Sequence, residues 1–95
     1  MPVTIYLPLP PESAQVYGPL NRQLGVGDGN LPDGLLHHYA TQTDDAFSIF
    51  EIWESREQFE RFAQERLMPA LQQLAGEHAP QIKPVIGKLY NEFRA

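Results

Sequence analysis

The segment Phe47–Glu54 places large apolar side chains on both of its faces, and this constrains the fold more than any other feature. Alternate side chains of a strand point to opposite faces, so Phe47, Ile49 and Trp53 share one face while Phe50 and Ile52 share the other. A sheet that is apolar on both faces has to be covered on both. At 95 residues the chain is expected to form one domain spanning residues 1–95. A domain of this size hides only about two-thirds of its unfolded surface. That leaves little apolar area for a deep private pocket, so a second subunit is expected to complete any ligand site. The chain carries two helical patterns, enough to cover one face. The bare face predicts a partner, a second copy of the same chain.

The remaining elements follow from periodicity and punctuation. Val3–Leu9 is apolar and closed by Pro8, Pro10 and Pro11, so a first strand is expected to stop near Leu7. Val16, Tyr17, Leu20 and Leu24 recur at helical spacing. Gly18-Pro19 inside that pattern predicts a kink or break, and Gly25 suits the residue after a helix. Gly25-Val26-Gly27-Asp28-Gly29 follows a helix and precedes a strand, the wrong context for a phosphate-binding glycine loop. Leu35–Thr41 and Phe47–Glu54 read as a hairpin around the four-residue loop Thr43–Ala46. Ser55 with Gln58 three residues on reads as a capped helix start, and Phe59, Phe62, Ala63, Leu67, Ala70, Leu71 and Leu74 form its apolar stripe. Glu57 and Arg61 are spaced for an ion pair. Pro69 predicts a kink near Met68, and Gly76 ends the helix. Ile82–Phe93 predicts a last strand interrupted by Pro84 and Gly87. The order β-α-β-β-α-β predicts an α+β, ferredoxin-like fold: a four-stranded antiparallel sheet with two helices on one face.

Composition removes several classes of function. The chain has no Cys, which excludes disulfides, thiolate metal sites and a Cys nucleophile. The net charge of -5 argues against nucleic acid and anionic membranes as partners. No stretch approaches the roughly 20 apolar residues that span a bilayer. The N-terminal apolar run has no basic region before it and reads as a strand, not as a signal peptide. The expected location is cytoplasmic.

Trp53-Glu54-Ser55 followed by Phe59 and Phe62 resembles the segment that joins strand three to helix two in the antibiotic biosynthesis monooxygenase-like superfamily. Tyr17, Pro32-Asp33-Gly34-Leu35 and Leu67-Met68-Pro69 are also similar to small members of that group. The resemblance implies a dimeric α+β barrel in which bare sheet faces meet, with a cavity between sheet and helices in each subunit. It implies chemistry loosely, because the superfamily includes oxygenases, isomerising and dechlorinating enzymes and haem degraders. In its anthrone-type oxygenases and haem degraders a Trp near the position of Trp53 lines the cavity. The haem degraders resemble one another in an Asn on strand one and a His in helix two. Here Val3–Leu7 has no Asn and helix two has no His, so no haem is expected.

The residues able to carry chemistry are few. His37 and His38 are adjacent on a strand and point to opposite faces, and His78 lies beyond helix two. No HxH or HxxxH spacing is present, so no metal is expected. Hairpin register decides which His faces inward. A four-residue loop pairs His38 with Glu51, and His38, Glu51 and Trp53 then form a polar-aromatic cluster. A carboxylate beside an imidazole can hold it as a base or acid near neutrality, which makes His38 and Glu51 the candidate catalytic pair. Trp53 is the candidate to stack on a planar substrate, and Tyr6, Tyr39 and Tyr90 are candidates to present hydroxyls to a cavity. The same residues also read as a satisfied His–Glu pair at a dimer interface and as packing aromatics.

Two functions of different class therefore stand. One is a cofactor-independent monooxygenase or related tailoring enzyme acting on a small aromatic or polyketide-like substrate. The other is a non-catalytic dimeric protein that binds a small ligand or a partner.

Overall fold

The computed structural model describes residues 1–79 and 81–95, with His78 described in its backbone alone. Four strands, β1 (Val3–Leu9), β2 (Leu35–Gln42), β3 (Phe47–Trp53) and β4 (Val85–Lys88), form one antiparallel sheet in the order β2-β3-β1-β4. Helix α1 (Ala14–Leu24) connects β1 to the hairpin β2-β3. A second helical run connects β3 to β4 in three parts: α2 (Arg56–Phe62), a π-helical segment (Ala63–Leu67) and α3 (Met68–Ala75). Both runs pack on the same sheet face, as the α+β, ferredoxin-like reading requires. No described helix is long and apolar enough to cross a membrane.

The hairpin has the expected four-residue loop. Gln42 pairs with Phe47, and the Thr43 Oγ1 accepts from the Ala46 N–H at 3.1 Å, a side-chain turn that stands in for backbone pairing. A bulge at Leu36 follows from the register, in which Leu35 pairs with Trp53 and His37 with Ile52. One extra residue lets Leu35 and His38 face the helices together. Gly34 enters this strand at φ +94, and a Cβ there would come within 2.6 Å of the Gln58 side chain. Only glycine provides both that backbone angle and that approach.

Helix two starts as its sequence predicts. The Ser55 Oγ accepts from the Gln58 N–H at 3.2 Å and donates to the Gln58 Oε1 at 2.9 Å. The expected kink takes the form of the π-helical segment. The Met68 N–H bonds to the Ala63 carbonyl, five residues back. Pro69 has no N–H and its ring crowds the carbonyl four residues earlier, and a widened turn relieves that crowding. The ion pair on this helix is Arg56–Glu60 at 3.3 Å, one position before the expected Glu57–Arg61. Exposed pairs of this kind contribute only about 0.3–0.5 kcal/mol, too little to select one over the other.

Three expectations about prolines and strand length are corrected. β1 runs through Pro8 to Leu9. β4 pairs with β1 only as far as Tyr6, so β1 has a free edge at Pro8 where a missing N–H costs little. α1 runs unbroken through Pro19, because one lost hydrogen bond is offset by burial of the stripe that Val16, Leu20 and Leu24 place against α3. The last strand is only Val85–Lys88. Lys88 already pairs with Val3, the first residue of β1, so the chain beyond has almost no ladder to join.

The outer sheet face carries Tyr6, Tyr39, Phe50 and Val85, all exposed. Ile52 on that face is buried within the chain. It sits between Thr4 and His37 in the sheet, at the end where the segment after β4 crosses to bring Glu92 within 3.9 Å of His37.

The core is divided. Ile5, Leu7, Trp53 and Phe59 form one buried cluster, and Leu24, Leu67, Ala70 and Leu71 form another. Phe62, Ala63 and Ile82 touch both. Between sheet and helices lies a half-open cavity of about 310 Å³. The chain thus has a private pocket despite its length, because one cluster joins the sheet to α2, the other joins α1 to the second helical run, and the space between them is left unfilled.

Candidate active site

The cavity is walled by aliphatic side chains from every layer, among them Leu7 and Leu9 of β1, Val16 and Leu20 of α1, and Leu67 and Leu71 of the second helical run. Ser13, Tyr17, Asn21, His38 and Glu51 are its polar-tipped side chains. Three of these form one hydrogen-bonded chain with Trp53. The Trp53 indole Nε1–H donates to the Glu51 Oε1 at 2.9 Å. The other carboxylate oxygen, Oε2, lies 2.6 Å from the His38 Nδ1. The His38 Nε2 lies 2.5 Å from the Tyr17 hydroxyl.

The chemistry of the partners sets the proton positions. An indole N–H only donates and a carboxylate only accepts. His38 therefore carries a proton on Nδ1, and in the neutral ring the Tyr17 O–H donates to Nε2. Burial falls away along the chain: Trp53 is fully buried, Glu51 is 8% exposed, and the His38 side chain is 31% exposed. The relay thus leads from the core to the cavity mouth beside the edge strand β2. Both Glu51 oxygens are occupied, and among the described residues no buried side-chain N or O lacks a partner.

Backbone register explains how the sequence builds this. His38 pairs directly with Glu51 across the hairpin, and Trp53 lies two residues along on the same face as Glu51. His37 points outward, within 3.9 Å of Glu92 and parallel to the Tyr39 ring at 6.2 Å. Tyr17 comes from α1, with its ring edge-on to Phe47 at 5.2 Å.

Several predicted contacts are corrected. Trp53 does not line the cavity. It lies behind Glu51, packed against Phe59 and Phe62 at 5.6 and 5.5 Å between ring centres. It orients the carboxylate and presents no face to a ligand. Tyr6 and Tyr39 lie on the outer sheet face, and Tyr90 lies beyond β4, 98% exposed. None of the three lines the cavity. Tyr17 was missed as a site residue. Its signal was a hydroxyl tip within the otherwise aliphatic stripe of α1. Among the described residues, no group of three or more His, Cys, Asp or Glu side chains is placed to hold a metal. The side chain of His78 lies outside the described residues.

No protein-family model and no curated protein matches the chain. Solved structures do. SnoaB, a cofactor-independent oxygenase from Streptomyces nogalater, superposes with a TM-score of 0.66 at 14% identity, over 99% of this chain and 98% of that one. Rv0793 from Mycobacterium tuberculosis superposes at 0.70 with 13% identity, over 97% and 98%. The chain shares the fold of these proteins. A structure of MhuD with two manganese protoporphyrin IX molecules bound per active site shares it at 0.64 and 13% identity, over 100% of both chains. At 13–14% identity the likeness is one of fold. The Tyr17–His38–Glu51–Trp53 relay is described from this chain alone.

Proposed function

We propose that the chain is a cofactor-independent oxygenase, or a related tailoring enzyme, acting on a small aromatic or polyketide-like substrate. The observation that carries this reading is the relay ending at the mouth of an apolar cavity. His38, backed by Glu51, is placed to take a proton from a substrate seated among the aliphatic walls. A deprotonated, electron-rich ring can pass an electron to oxygen and recombine with the resulting superoxide to form a peroxide. Loss of water from that peroxide leaves a carbonyl. For an anthrone-type methylene the balance is one CH2 plus one O2 giving one C=O plus one H2O. The likeness in fold to SnoaB, a cofactor-independent oxygenase, supports this reaction class. The open cavity favours it over a purely structural role, because there His38 and Glu51 would pack without a void.

A screen of phenols, hydroquinones and anthrones by thermal shift, followed by oxygen uptake on the compounds that bind, tests the proposal. Anthrones are expected to raise the melting temperature and to consume oxygen. Binding without oxygen uptake would favour the non-catalytic reading, and no binding at all would remove the cavity as a substrate site.

The functional unit in this proposal is a dimer. Exposed Tyr6, Tyr39, Phe50 and Val85 on one sheet face support it, since apolar surface of this kind is favourable to remove from water. Light scattering at micromolar concentration is expected to give twice the chain mass. A stable monomer would overturn it.

A further inference from the structure

We propose that Tyr17 and His38 together form an enolising device for a neutral ketone. In it, the His38 Nε2 removes a proton from the carbon beside a carbonyl while the Tyr17 hydroxyl holds the carbonyl oxygen. The inference rests on the reading of the cavity as a substrate site. It names the substrate class and the first bond broken there.

The relay has a direction. At its buried end Trp53 can only donate, and both Glu51 oxygens are taken by Trp53 and His38. A proton arriving at Nε2 leaves the Nδ1–H in place and sets the new positive charge beside the Glu51 carboxylate, whose Oε2 is 2.6 Å from Nδ1. At its outer end a donor and a base stand side by side, 2.5 Å apart. A carbonyl oxygen and its α-carbon are two bonds apart, so neighbouring groups of this kind address both. A carbonyl oxygen that accepts from Tyr17 in place of Nε2 frees the Nε2 lone pair, and one hydrogen bond is exchanged for another.

The walls specify a neutral substrate. Among the described residues, no Lys or Arg lines the cavity, and Glu51 is its one carboxylate. Arg66, on the second helical run, is not among the lining residues and its guanidinium is engaged, with its Nη2 on the Leu24 carbonyl at 2.8 Å and its Cζ over the Phe62 ring. A carboxylate or phosphate in the cavity would therefore meet Glu51 without a counter-ion, at a desolvation cost.

The step balances without an oxidant. The C–H bond breaks and its electron pair becomes the C=C of the enolate. The carbonyl π pair moves to oxygen, which Tyr17 holds. The proton goes to Nε2. In heavy water the reversed step returns a deuteron, so the ketone becomes labelled while remaining a ketone.

The test is anaerobic deuterium exchange at the α-carbon of β-tetralone, read by mass spectrometry, with binding followed by thermal shift. The wild-type chain is expected to speed exchange about 10⁴-fold over buffer, about 100-fold from the positioned general base and about 100-fold from the oxyanion donor. Tyr17→Phe, which keeps the ring against Phe47, is expected to lower exchange about 10²-fold, as for loss of an oxyanion donor, with binding retained. His38→Gln is expected to return it to the buffer rate. Its amide can still donate to Glu51, so it carries the test if Tyr17→Phe fails to fold. Binding without exchange, or wild-type exchange in both variants, would overturn the inference and leave the oxygenase standing if anthrone still consumes oxygen. Exchange without any oxygen uptake would support it and overturn the oxygenase. Equal exchange of a carboxylated β-tetralone would overturn the neutral-substrate part. Absence of both binding and oxygen uptake ends both readings.

Discussion

The Trp53→Ala variant is expected to lose about 3–5 kcal/mol of stability, the range for truncating a large buried aromatic. Small domains have only about 5–15 kcal/mol in total, so this change removes a large share of it. Two terms add. The indole is fully buried in the cluster with Ile5, Leu7 and Phe59, so its removal leaves a cavity. It also takes the donor from the Glu51 Oε1, and an unsatisfied buried acceptor costs about 1–3 kcal/mol by itself. Trp53→Phe separates the two, because it keeps most of the packing and removes only the N–H. Its expected loss lies between the parent and Trp53→Ala. Urea unfolding followed by far-ultraviolet circular dichroism measures both, since Trp53 is the only tryptophan and its fluorescence is lost in the variants. A loss below about 1 kcal/mol for Trp53→Ala would show that the indole is not the keystone of this cluster.

The His38→Gln variant is expected to keep its fold and lose its chemistry. The side chain is nearly one-third exposed, so little packing is removed. The new amide can donate to Glu51 in place of Nδ1–H, which keeps that buried carboxylate paired. What disappears is the basic nitrogen facing Tyr17. General base catalysis by a positioned side chain contributes about 10²- to 10⁴-fold, and kcat for oxygen uptake on a bound anthrone is expected to fall by that factor, with KM little changed. A stable variant with parental kcat would place the base elsewhere in the cavity. If kcat and stability fell together, His38 would instead be part of the scaffold.

The distance between these two outcomes reflects how the site is built. Trp53 acts through Glu51, and Glu51 acts through His38, so of these three only His38 is proposed to meet the substrate. Such a chain holds its outer base in one orientation, which is the positioning an acid–base site needs.

The hairpin part of this site was legible in the sequence. Loop length sets register, and the four residues Thr43–Ala46 are enough to place His38 opposite Glu51 and to send His37 to the other face. Ser55 was legible as a cap for the same reason: its partner Gln58 is three residues away. The prolines were less so. Pro8 and Pro19 lack an N–H wherever they stand, but the cost depends on whether a partner waits at that position. At Pro8 the neighbouring strand has already ended, and at Pro19 helix packing outweighs one lost bond.

The sequence by itself determined the element order, the inner and outer faces of the strands, and the pairing of His38 with Glu51, because periodicity and turn length act over a few residues. The tertiary structure alone decided the depth of Trp53, the cavity and the place of Tyr17. Alternation tells which face Trp53 is on, but not whether a helix or a ligand covers it. Here Phe59 and Phe62 cover it, so the indole braces the site from behind. Tyr17 reaches His38 across 21 residues of chain, a meeting set by how α1 leans over the sheet. The core is left in two clusters, one of sheet against α2 and one of α1 against the second helical run, and the space between them is the pocket that chain length alone argued against.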